Sequence, residues 1–75
     1  MTVLELAQHY QATENYRGIE LVDKLLNAKT VRFLENDQDE AIRKDFERLD
    51  CWDILRKRSY VNSRGMWVIC PPLDA

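Results

Sequence analysis

Cysteine is scarce: Cys51 and Cys70 are the only two, too few for the disulfide framework that staples small secreted domains. The opening residues MTVLELAQHY carry neither the basic start nor the long apolar run of a signal peptide, so a cytoplasmic location is expected, with both thiols reduced and partly buried. Histidine is scarcer still. His9 stands alone among polar neighbours and reads as a solvated side chain. With the two cysteines it makes three candidate ligands in no CxxC or HxxxH spacing, short of the roughly four that a structural zinc needs. No metal and no cofactor are therefore expected. Glycine is limited to Gly18 and Gly65, far apart and outside any GK[ST] or GxGxxG context, which excludes the usual phosphate-cradling loops. No apolar run approaches membrane-spanning length.

These shortages also weigh against catalysis. A serine or cysteine nucleophile needs a base, yet the one histidine has no spacing that ties it to Cys51 or Cys70, and no GxSxG elbow surrounds Ser59 or Ser63. Carboxylates are plentiful, but 75 residues leave little room for a pocket that would raise one carboxyl for acid work. A binding protein is expected rather than an enzyme, with no small-molecule substrate. A chain of this length is one domain, residues 1–75, with a small core. Lacking a covalent or metal staple, it is expected to gain stability as a homodimer or in a protein complex.

What is present is apolar enough to fold: 45% hydrophobic against 32% charged residues. Thr2 followed by Glu5 has the form of a capping box, and Val3, Leu6, Ala7 and Tyr10 then recur at helical spacing. Asn15 can cap a second helix with an apolar stripe at Ile19, Val22, Leu25 and Leu26. Gly18 near its start reads as a tolerated glycine, with close packing of another backbone as the alternative. Val31 and Phe33 alternate with Thr30 and Arg32 as in a short strand, although Leu26, Thr30 and Phe33 also fit a continued helix; a strand is expected.

Asp37 and Glu40 repeat the capping-box form and predict a third helix whose inner face is Ile42, Phe46 and Leu49. The acidic run around its start lacks the ligand series and turn glycine of a calcium loop. Beyond Leu49 the stripe drifts, so the helix is expected to end near residues 50–53, with Asp53 turning the chain. From Ile54, ILRKRSYV, NSRG and MWVIC read as two strands around a turn in which Gly65 supplies a positive φ, with Pro71 and Pro72 stopping the second strand. The expected fold is a small α+β domain of about three helices followed by a C-terminal β-hairpin.

Net charge is −2, but it is unevenly spread. Residues 1–41 hold four basic against eight acidic side chains, whereas residues 42–64 hold seven basic against four acidic. Such an asymmetry points to a polyanion or an acidic partner. Asp39 with Arg43 and Glu40 with Lys44 have the acid-first i,i+4 spacing of local helix pairs. Arg56, Lys57 and Arg58 have only Asp53 close by in sequence. Beside a hairpin tip of Asn62, Ser63 and Arg64 they suit phosphate contact, and they equally suit a charged edge that resists strand aggregation.

Residues 41–69, AIRKDFERLDCWDILRKRSYVNSRGMWVI, resemble the recognition-helix-and-wing half of winged helix-turn-helix domains. Ile42, Phe46 and Leu49 match the buried face of the recognition helix, Asp53 the turn, and Asn62 to Gly65 the wing. The resemblance implies a winged-helix-like fold and a DNA-binding role in transcription regulation. It implies that Arg43, Lys44 and Arg48 lie in the major groove of double-stranded DNA, with Arg64 near its backbone or minor groove. The competing expectation is a protein-binding inhibitor or adaptor that engages its partner through its acidic half or through Trp52, Tyr60 and Trp67, residue types enriched at interfaces.

Overall fold

The computed structural model describes residues 1–71, in the order α1 (Val3–Ala12), α2 (Tyr16–Leu26), β1 (Val31–Phe33), α3 (Asp37–Phe46), α4 (Trp52–Lys57), β2 (Ser59–Val61) and β3 (Trp67–Ile69). The three strands form one antiparallel sheet in the order β1-β3-β2. The result is an α+β domain with four helices rather than three. No helix among the described residues is long and apolar enough to cross a membrane.

The N-terminal half follows its sequence signals closely. Thr2 caps α1 by accepting from the Glu5 N–H, while its hydroxyl donates to the Glu5 carboxylate. Asn15 caps α2 by accepting from the Gly18 N–H at 3.0 Å. Glu14 and Ala28, both at φ 55°, follow the ends of the two helices in left-handed conformation. The buried residues of α2 are Gly18, Leu21 and Val22. The phase therefore differs from the expected stripe: Leu26 is exposed and Leu21 is in the core. Gly18 is a packing glycine, although its neighbour is the ring of Tyr10 rather than a backbone.

Two further corrections concern α3. Its cap is Asn36, which accepts from the Asp39 N–H at 2.7 Å, one residue earlier than Asp37. Asp39 does not pair with Arg43. It is buried and takes a bidentate grip from Arg17 on α2, with Arg17 Nε 3.0 Å from Oδ1 and Nη2 2.9 Å from Oδ2, plus the Leu34 N–H at 2.7 Å. Arg17 Nη2 also donates to the Arg32 carbonyl at 2.8 Å. One buried carboxylate thus ties α2, β1 and α3 together. Burial alone would push its pKa up, but the hydrogen bonds from Arg17 and Leu34 outweigh that and hold it below the usual carboxylate value.

The largest difference lies after Phe46. The third helix stops there, and a turn built on Arg48 N–H to Asp45 carbonyl, Leu49 N–H to Phe46 carbonyl and Trp52 N–H to Leu49 carbonyl bonds reorients the chain. Leu49 keeps its place in the core from this turn. The segment expected to turn at Asp53 and start a strand at Ile54 is helix α4 instead. Leu, Arg and Lys favour helix, Asp53 lies in its first turn and Arg56 and Lys57 in its last, all in the sense that complements the helix dipole. Six residues do not make a stable helix alone; Leu55 buries itself and Trp52 packs against the core to hold it. Pro72 lies outside the described residues.

Leu6, Tyr10, Leu21, Val22, Val31, Phe33, Ile42, Phe46, Leu49, Leu55 and Ile69 form one contiguous core on the helix-covered face of the sheet. Phe33 and Phe46 meet edge to face, 5.5 Å between ring centres.

Candidate functional site

The structure sorts the candidate basic residues into two kinds. Arg43 on α3 is held by Glu40 and by Glu47, the latter at 2.8 Å, and its guanidinium lies 5.5 Å over the ring of Trp67. The hydrogen bond from Arg43 holds the Glu40 carboxyl below its usual range. Arg43's charge is therefore already answered within the fold. Arg48 sits in the turn before α4, largely exposed, with Asp45 3.8 Å away. Lys44, Arg56, Lys57, Arg58 and Arg64 form no ion pair among the described residues and are exposed. Glu40, the expected partner of Lys44, is engaged by Arg43 instead.

Arg56 and Lys57 occupy the last turn of α4 and Arg58 its C-cap. Their backbone is fixed at both ends: the Ser59 hydroxyl donates to the Arg56 carbonyl at 2.6 Å, and the Arg58 carbonyl accepts from the N–H of Cys70, just past β3. Three uncompensated cations thus stand where α4 passes into β2.

The hairpin tip is built around Asn62. Its side-chain oxygen accepts from the Arg64 and Met66 N–H groups at 2.9 and 3.0 Å, its backbone N–H donates to the Met66 carbonyl, and Gly65 closes the turn at φ 80°. A positive φ there is what a glycine supplies without strain. Asn62 is accordingly a structural residue of the tip, and Ser63 and Arg64 are the exposed side chains it presents.

The aromatic candidates do not form a single patch. Trp52 and Trp67 pack together at 5.4 Å, and Trp67 also meets Phe33 at 5.2 Å. Both tryptophans are half-buried against the core. In the register of the sheet Tyr60 pairs with Val68, so it projects from the face opposite Trp67. Tyr60 is 53% exposed.

That outer face carries an arrangement that charge counting along the chain does not reveal. Arg32, Val68 and Tyr60 form one row across the three strands. Val68 is buried yet stands apart from the contiguous core. Arg32, Tyr60 and Val68, with Asn62 to Arg64 and Met66, line a depression of about 260 Å³ that contains no carboxylate. A smaller depression of about 130 Å³ on the other side of the tip includes both Glu35 and Glu40. Arg32 lies in the acidic half of the sequence, 32 residues before Arg64; the register of β1 on β3 brings it here, and no sequence spacing signals it.

Cys51 and Cys70 are free and half-buried, His9 is exposed, and the described residues hold no group of three or more potential metal ligands. Compared with protein-family models, curated proteins and solved structures, the chain matches none.

Proposed function

We propose that the chain is a small, non-enzymatic DNA-binding domain of winged-helix-like organisation, with α4 rather than α3 as the helix presented to the duplex. The observation that carries this reading is the run Arg56, Lys57, Arg58, exposed and without acidic partners among the described residues, at the junction of α4 with the hairpin. The element order supports it: winged helix-turn-helix domains place two helices between the first and second strands, and α3 and α4 stand in that interval. The hairpin tip with Ser63 and Arg64 then takes the place of the wing. Arg43, engaged by two glutamates, leaves the set of DNA contacts; Lys44 and Arg48 stay at its margin. Exposed cations of this kind give mainly phosphate contacts, which set affinity and position but not sequence choice.

Fluorescence anisotropy with a random duplex over a salt series tests the reading. Successive helical residues point about 100° apart, so the three cations cannot all face one strand. About two phosphate contacts are expected from them, and replacing all three with Ala lowers the log–log salt slope by about 1.8. Arg43→Ala leaves the slope unchanged. Failure of the wild-type chain to bind duplex at low salt rejects the proposal and favours the protein-binding alternative, for which Tyr60 and Ile54, each more than half exposed, are among the apolar contacts on offer.

A further inference from the structure

The depression on the outer face of the sheet is not part of α4, and its chemistry differs from that of a helix surface laid on a duplex. Two arginines from distant parts of the chain flank it, Arg32 on β1 and Arg64 at the hairpin tip. Neither forms an ion pair among the described residues, and no lining residue is acidic. Paired guanidinium groups without a carboxylate are suited to a phosphate, which they can hold through several parallel N–H donors. The backbone beneath Arg32 is fixed by the hydrogen bond from Arg17 to its carbonyl, and the tip that carries Arg64 is fixed by the two bonds to Asn62. The backbone that carries each arginine is thus fixed.

Tyr60 adds a second recognition element. Its ring stands half-exposed beside Val68 and has no aromatic neighbour among the described residues. A volume of about 260 Å³ exceeds what a bare phosphate requires and falls just below the ~300 Å³ at which pockets for drug-sized ligands begin. An aromatic face beside an arginine is the common means of holding an unstacked nucleobase.

We propose that this depression binds a nucleoside monophosphate unit, with Arg32 and Arg64 on the phosphate and the Tyr60 ring against the base. The unit can be a free nucleotide or one nucleotide of a single strand; the recognition chemistry is the same. The site does not depend on the role assigned to α4.

The test is an amide chemical-shift titration of the full chain with AMP, adenosine, inorganic phosphate and a four-nucleotide deoxyadenosine strand. AMP is expected to move the Arg32, Tyr60, Arg64 and Val68 resonances saturably, and adenosine and phosphate to bind more weakly. Arg32→Ala and Tyr60→Ala each lower AMP affinity about tenfold, while Tyr60→Phe, which keeps the ring, stays near wild type. Both positions are exposed, and the dispersion of the remaining resonances verifies the fold. A tetranucleotide that binds about tenfold tighter than AMP identifies a single strand as the source, and equal affinities identify the free nucleotide. The proposal is overturned if AMP gives no saturable shift at millimolar concentration, if adenosine matches AMP, or if Tyr60→Phe loses as much as Tyr60→Ala. The Arg56, Lys57, Arg58 triple alanine variant separates the two readings. AMP binding survives in it while duplex binding falls, and loss of either binding in the wild-type chain alone sinks only the reading that requires it.

Discussion

The ring of Tyr10 fills the space that a side chain at Gly18 would need: a Cβ there would lie 2.6 Å from Tyr10 Cγ. The ring cannot easily withdraw, because it is buried in the core and its hydroxyl donates to Asp45 at 2.8 Å. Burial, helped by that hydrogen bond, pushes the phenol pKa well above its ordinary value. Alanine favours a helix over glycine by about 1 kcal/mol, but overpacking a core costs about 1–3 kcal/mol. Gly18→Ala is therefore expected to lower stability in urea melts. A rise in the midpoint would show that Tyr10 can move aside.

Asp39 makes a second prediction, in which pH gives the sign. Its folded pKa lies below the ordinary value of 3.8, so its ionised form contributes stability above that value and loses it as pH falls toward the folded pKa. Asp39→Asn leaves Arg17 without its buried partner and is expected to cost roughly 3 kcal/mol at neutral pH. Thermal melts of the two proteins should converge below about pH 4. A gap independent of pH would mean that the side chain acts through shape alone.

Phe46 is fully buried and meets Phe33 edge to face. Phe46→Ala is expected to cost about 3–5 kcal/mol through the cavity left behind. Exposed Lys44, two residues earlier on the same helix, is expected to change stability by no more than about 0.5 kcal/mol on replacement with alanine. Circular dichroism melts distinguish the two, and equal effects would contradict the inner face assigned to α3.

Leu4, Tyr16 and Leu26 remain more than half exposed on α1 and α2. Apolar surface of that kind on so small a domain favours self-association, and light scattering coupled to size exclusion is expected to give twice the chain mass. A concentration-independent melt from a species of single-chain mass would count against a dimer.

The sequence by itself determined what depends on neighbours a few residues apart. The caps at Thr2 and Asn15, the inner positions of Ile42 and Phe46, and the glycine-closed turn at Gly65 all rest on local geometry, and all could be read from spacing; the alternation at Val31–Phe33 favoured a strand without excluding a continued helix. Three matters were settled only by the tertiary structure. The segment from Trp52 to Lys57 has no decisive pattern, since its apolar residues suit a short strand as well as a short helix, and the burial of Leu55 with the packing of Trp52 selects the helix. Asp39 could pair with Arg43 along α3, but the Arg17 guanidinium and the Leu34 N–H offer a carboxylate three donors at once, so the distant partner wins. Arg32 shares one depression with Arg64 and Tyr60 because β1 pairs with β3 in one register, and sheet register joins residues whose separation along the chain carries no signal of it.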